Sequence, residues 1–199
     1  MKKFLKFALL VAAFTNVLTA ETIFELSAQH FSNSIEGNGV GARYNLSKTY
    51  VSTSLSYVNG NYKTPRDTHS SNFNVEIKNP LLVWSVSFDM SYYLDNEYHP
   101  IRFTSDTGKT IIISFANKRI YFNDKPVLDD RYFGYSEEIM LNLSKDGNKV
   151  KLIINGDTLS TIDVANFSKL KFVKVSVIHE ASIGEVEDIF NGLNIGTSD

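Results

Sequence analysis

The stretch Val83–Ser91, VWSVSFDMS, decides the fold. Trp84, Val86, Phe88 and Met90 alternate with Ser85, Ser87, Asp89 and Ser91. Successive side chains of a strand point to opposite faces, so this spacing sets one face on a core and the other on water. That pattern belongs to antiparallel sheets.

The same period recurs on both sides of this stretch. Downstream, it predicts strands over Ile101–Ser105, Thr110–Phe115, Arg119–Asn123, Ile139–Leu143, Lys149–Ile154, Thr158–Asp163, Lys171–Ile178 and Ile189–Ile195. Turn chemistry separates them: Asp106-Thr107-Gly108-Lys109 is one cluster, and Asn155-Gly156 is the strongest short hairpin signal, since a type I′ turn needs positive φ at both centres. Upstream, Thr22–Leu26, Tyr50–Tyr57 and Phe73–Ile77 read as strands. Ser32–Gly41 and Tyr62–Asn72 read as polar loops, with a second turn at Asn59-Gly60. No stretch of ten residues holds a helical period. The fold class expected is all-β, a two-sheet antiparallel β-sandwich formed as one domain over residues 21–199.

Residues 1–20 have the make-up of a secretory signal. Lys2, Lys3 and Lys6 precede the apolar run Phe7–Phe14 and a polar end, TNVLTA. That run is too short to cross a hydrocarbon layer of about 30 Å, which takes about 20 residues. With no cysteine in the chain, a lipid-modified N-terminal cysteine, disulfides and a thiolate nucleophile are excluded. The expected location is therefore periplasmic or secreted, without a lipid anchor. Three of the 20 basic residues lie in this segment, so 17 remain against 22 acidic ones, a net charge of −5. A mildly acidic surface argues against nucleic-acid binding, which calls for a clustered basic excess.

The run VKLIINGDTLSTIDV (Val150–Val164), the strand at Lys171–Ile178 and the closing EVEDIFNGLNIGTSD resemble the concanavalin A-like lectin/glucanase sandwich. SVSFD (Ser85–Asp89) fits the same comparison, and the resemblance extends over about residues 73–199. It implies a jelly roll of two antiparallel sheets, one of them concave, with any ligand on that concave face or its rim. It also implies that the N- and C-terminal strands lie side by side. It implies no particular activity, because this sandwich hosts lectins, hydrolases and scaffolds.

The glucanase pattern Glu-x-Asp-x-Glu places its carboxylates on one strand face, about 5–5.5 Å apart. The nearest string, GEVED (Gly184–Asp188), supplies Glu185 and Glu187 but is followed by Ile189. His30, His69, His99 and His179 stand in no recognisable catalytic motif, and neither a nucleophile elbow nor a zinc-protease helix signature occurs. The expectation is a protein that is not an enzyme. In the legume-lectin comparison, Ser87 and Tyr93 replace metal ligands. Asp89, Asp95, Asn96 and Glu97 are the remaining oxygen donors that a calcium ion would need.

Aromatic residues beside polar loops are the stronger lead. Tyr57, Tyr62, Tyr92, Tyr93, Tyr98, Tyr132 and Tyr135, with His99, form the candidate ligand-binding set. A sugar ring presents a flat C–H face that stacks on an aromatic ring, and tyrosine adds a hydroxyl. Trp84, alternating with Val86 and Phe88, is expected in the core. The function expected is a non-catalytic, carbohydrate-binding module of a bacterial envelope. The alternative is a structural or protein–protein interaction domain of an envelope or adhesin assembly, joined through an exposed sheet edge.

Overall fold

A computed structural model describes residues 21–27, 43–61, 67–92, 98–116, 119–127, 137–154, 156–179 and 190–197. Among these residues there is no helix. Two open antiparallel sheets face each other. The first has six strands in the order β1 (Glu21–Ser27), β14 (Phe190–Thr197), β5 (Trp84–Tyr92), β10 (Glu137–Asp146), β11 (Lys149–Ile154) and β12 (Asp157–Asp163). The second has eight, ordered β2 (Arg43–Asn45), β3 (Thr49–Val58), β4 (Thr68–Leu81), β13 (Leu170–His179), β6 (His99–Ser105), β7 (Thr110–Ala116), β8 (Arg119–Phe122) and β9 (Lys125–Pro126). This is the jelly-roll sandwich that the concanavalin A-like resemblance implies, with the terminal strands β1 and β14 paired.

The period-two apolar residues meet between the sheets. Trp84, Val86 and Phe88 of β5 are buried against Ile101 and Phe103 of β6 and Val173, Val175 and Val177 of β13. Aromatic rings bridge the two layers. Trp84 stacks on Phe103 at 5.6 Å, Phe88 meets the same ring edge-on at 6.0 Å, and Phe24 of β1 lies 5.9 Å from Phe73 of β4. Trp84 is thus a core residue, as its alternation indicates.

Turn chemistry sets several connections. Ile154 pairs with Asp157 across a tight turn in which Gly156 has φ +90°. Asp146 pairs with Lys149 across Gly147, whose φ is +58°. Asn123 and Asp124 both take positive φ between Phe122 and Lys125, a conformation their short polar side chains tolerate. The Asn59-Gly60 signal behaves differently. Val58 pairs with Thr68, so residues 59–67 form one longer connection, closed by the Gly60 N–H donating to Asp67 Oδ1 at 2.8 Å.

Two further departures from the sequence reading bear on function. Thr68–Asn72, expected within a polar loop, is the first part of β4 and pairs residue for residue with β3. A bulge between Leu170 and Phe172 turns Phe172 outward although Leu170 is buried. From there Lys174, Ser176 and Ile178 share the outer face of β13, because a bulge re-aims the residues beyond it.

At the end of β10 one core position is occupied by a charge. Lys145 continues the inward face of Leu143, sits opposite Trp84 and is buried, with Nζ donating to the Leu82 carbonyl at 3.4 Å. Burial holds its ammonium below the usual lysine range, against the opposing charge of Asp146. The unfolded chain therefore binds the proton more tightly. Lys145 lowers stability at neutral pH, and this penalty fades as pH rises toward the ordinary lysine range. Lys145→Met is expected to gain roughly 1 kcal/mol at pH 7 and to flatten the alkaline side of the stability profile. Paired thermal melts at pH 7 and 10 check this, and a lower melting temperature at pH 7 contradicts it.

Candidate functional site

The outer face of the eight-stranded sheet carries a groove of about 310 Å³. Its floor follows from register. Strand β3 offers Ser54, Ser56 and Val58 outward, β4 offers Ser70, Asn72 and Asn74, β13 offers Lys174, Ser176 and Ile178, and β6 offers Pro100 and Arg102. Each set alternates with inward apolar or small residues of the same strand, so the period that fills the core also lays out this polar surface.

Asn72 is the node of the floor. Its Nδ2 donates to Ser56 Oγ at 3.2 Å and to the Ser70 carbonyl at 3.0 Å. Its Oδ1 accepts from Ser70 Oγ at 3.1 Å and from Ser176 Oγ at 2.7 Å. One side chain thereby ties three strands together across their outward faces. Ser70, Asn72 and Ser176 are all buried despite facing away from the core. On β7, Ser114 lies opposite Pro100 and buries a hydroxyl with no hydrogen-bond partner. Tyr98 and Asn61 stand at one end of the groove.

At the other end the face continues into an aromatic row. Tyr50 and Phe172 are exposed on either side of Glu76, each opposite that residue in register. The Lys78 ammonium lies 4.6 Å from the Tyr50 ring centroid and that of Lys171 lies 5.7 Å from Phe172. Lys171 also pairs with Glu76 at 3.0 Å. Phe172 and Ser176 lie four residue steps apart along β13, about 13 Å of strand.

Cationic charge concentrates between these ends. Lys174 and Arg102 are opposite each other in register. Burial first, and the Arg102 charge second, hold the Lys174 ammonium below the usual lysine range.

Of the candidate binding residues, Tyr98 lines the groove. Tyr57 lies on the other face of β3, at its exposed end, with its ring edge-on to His69 at 6.0 Å. Its hydroxyl donates to Asp67, which raises the phenol and, together with the Gly60 N–H, lowers the carboxyl. His69 in turn pairs in register with His179, so the sheet brings two histidine positions beside Tyr57. His99 turns inward instead of toward a ligand: it is buried, and its Nδ1 accepts the Ile178 N–H at 3.1 Å just beyond the end of the β6–β13 ladder. It braces a groove-lining strand from behind. Tyr62, Tyr93, Tyr132, Tyr135, Asp95, Asn96 and Glu97 lie outside the described residues, as do the side chains of Tyr92 and Asp89. Among the described residues no three His, Asp or Glu side chains gather as a metal site would require. No helix among them is long and apolar enough to cross a membrane.

Sequence reading passed over Ser70, Asn72 and Ser176. The available signal was parity: Asn72 and Asn74 continue the outward phase of the strand whose inward residues are Phe73, Val75 and Ile77.

The chain matches no protein-family model and no curated protein. Among solved structures it is similar to an alginate lyase of polysaccharide lyase family 7, at 11% identity and TM-score 0.44, covering 80% of this chain and 79% of that one. It is also similar to a toad ovary galectin in complex with N-acetylgalactose, at 13% identity and TM-score 0.42, covering 61% and 96%. A third is a sialidase, at 6% identity and TM-score 0.46; 78% of this chain is covered, but it spans only 16% of the sialidase. The expectation that the protein is not an enzyme does not stand beside these findings, since several of the similar structures are alginate lyases. It rested on a missing Glu-x-Asp-x-Glu motif and on the lack of a recognisable triad, and these speak only to particular hydrolytic routes.

Proposed function

We propose that the outer face of the eight-stranded sheet binds a carbohydrate chain. The observation that carries this reading is the floor around Asn72. Hydroxyl and amide groups from β3, β4 and β13 are held in fixed positions by one another, beside Tyr98 at one end and the Tyr50–Phe172 row at the other. Sugar hydroxyls both donate and accept, as serine and asparagine side chains do. The flat C–H face of a sugar ring suits an aromatic side chain. A floor already locked by internal hydrogen bonds loses little freedom on binding, which favours affinity. The segment over residues 1–20 supports export, which would put the groove where surface and extracellular polysaccharides are met.

Titration of the protein with a panel of neutral and acidic oligosaccharides, followed by calorimetry, tests the proposal. At least one chain is expected to bind with a dissociation constant of millimolar or tighter, and Tyr98→Ala is expected to weaken it about threefold to tenfold. Silence across the panel overturns the reading. So does full affinity in a variant with a bulky side chain on the floor, such as Ser56→Trp.

A further inference from the structure

Resting on the groove reading above, we infer that the sugar chain it takes is acidic, with a carboxylate or sulfate group bound between Arg102 and Lys174. The two cations face each other across β6 and β13, and both line the groove. Side chains directly opposite in an antiparallel pair have Cβ atoms about 4.5–5.5 Å apart, and like charges there are destabilising. A fold gains nothing by placing them so.

Their remaining neighbours do not relieve the repulsion. The residue opposite Lys174 on its other side is Asn74 of β4, and the one opposite Arg102 is Ile112 of β7. Among the described residues the acid nearest in register on this face, Glu76, is engaged by Lys171 at 3.0 Å. Among the described residues neither Arg102 nor Lys174 has an acidic partner. The half-buried Lys174 has also given up part of its hydration. An anion seated between the two removes the repulsion and restores the solvation that burial took from the ammonium. Arg102 can offer a forked pair of N–H donors to a carboxylate or sulfate, while Lys174 acts as a point charge.

The rest of the groove says what carries the anion. Asn72, Ser56, Ser70 and Ser176 form a neutral floor next to the cations, matched to hydroxyls, while a free inorganic anion would need only the two charges. A polymer with an acidic group on successive sugars satisfies both parts.

The test uses the whole chain with uronate oligosaccharides from alginate, polygalacturonate and hyaluronan, each beside its carboxyl-reduced counterpart, in which the acid has become a primary alcohol. At least one acidic chain is expected to bind, and its reduced form to bind tenfold or more weakly. Raising salt from 0.05 to about 0.5 M should weaken the acidic chain alone. Arg102→Gln and Lys174→Gln are each expected to lose about tenfold in affinity while keeping or raising the melting temperature, because each relieves the opposed charges. Equal affinity for acidic and reduced chains, or undiminished affinity in both glutamine variants, overturns the inference and leaves the groove reading intact. Melting temperatures that fall in both variants make the pair a structural one and also overturn it. No binding of any chain, acidic or reduced, removes the groove reading and this inference with it.

Discussion

Truncation after Asp188 is expected to leave a chain that does not fold. The missing strand, β14, lies inside the six-stranded sheet, between β1 and β5, and pairs with both. Its loss removes the buried Leu193 and Ile195 directly. It also removes the sheet partner that β1 has among the described residues, so the buried Phe24 and Leu26 lose their anchorage. At about 1.5–3 kcal/mol for each such side chain, these four contacts are worth about 6–12 kcal/mol. That matches the whole stability of an ordinary domain, about 5–15 kcal/mol. The flank of β5 would stand open as well, a template for pairing between chains. Circular dichroism melts and size-exclusion chromatography should show no cooperative transition and large aggregates. A soluble truncated chain that melts cooperatively near the parent temperature contradicts the topology.

Asn72→Ala is expected to damage stability and the groove together. The substitution takes away the acceptor used by the Ser70 and Ser176 hydroxyls and the donor used by Ser56. Leaving buried polar groups without partners costs about 1–3 kcal/mol, a fall of roughly 3–10 °C in melting temperature for a domain of this size. The floor would also lose the fixed positions of its hydroxyls, so carbohydrate affinity should fall by more than the loss from Tyr98→Ala. A variant with parental melting temperature and parental affinity would show that Asn72 is not the node of this surface.

The fold was legible in the sequence wherever the two faces of a strand differed in polarity. Val83–Ser91 separates large apolar residues from serines, and β5 follows that pattern within one residue at each end. Lys149–Ile154 coincides with β11. The pairing of the terminal strands came from the resemblance and not from alternation. What escaped is the first part of β4. Thr68, Ser70 and Asn72 alternate with His69 and Ser71, so both faces are polar and period two carries no signal. Tertiary context makes this segment a strand: it continues the register of Phe73–Ile77 against β3 and β13. The polar floor of the groove escaped for the same reason, since its residues look like loop residues until the register aligns them. Arg102 and Lys174 are 72 positions apart in the chain and become neighbours only through β6–β13 pairing. Tyrosine content did not distinguish the two faces of the sheet, for Tyr57 stands on the opposite face from Tyr98 and the exposed Tyr50.

The connection over residues 59–67 adds a pH dependence at the rim. Asp67 accepts from the Gly60 N–H and the Tyr57 hydroxyl, which lower its pKa. The stabilisation is present above the ordinary carboxylate range and is lost as pH falls through the lowered value. Protection of the Gly60 amide, taken relative to its intrinsic exchange rate at each pH, should fall under acid conditions before the strands melt, and protection at Gly60 that outlasts the strands in acid contradicts this.

The central claim is that one face of one sheet recognises a carbohydrate chain. A heteronuclear NMR titration tests it most directly, using the oligosaccharide that gives the tightest calorimetric signal. The account predicts that amide shifts concentrate at Ser56, Ser70, Asn72, Tyr98, Arg102, Lys174 and Ser176, with β11 and β12 unchanged. Shifts confined to the six-stranded sheet, with those seven residues silent, would contradict it.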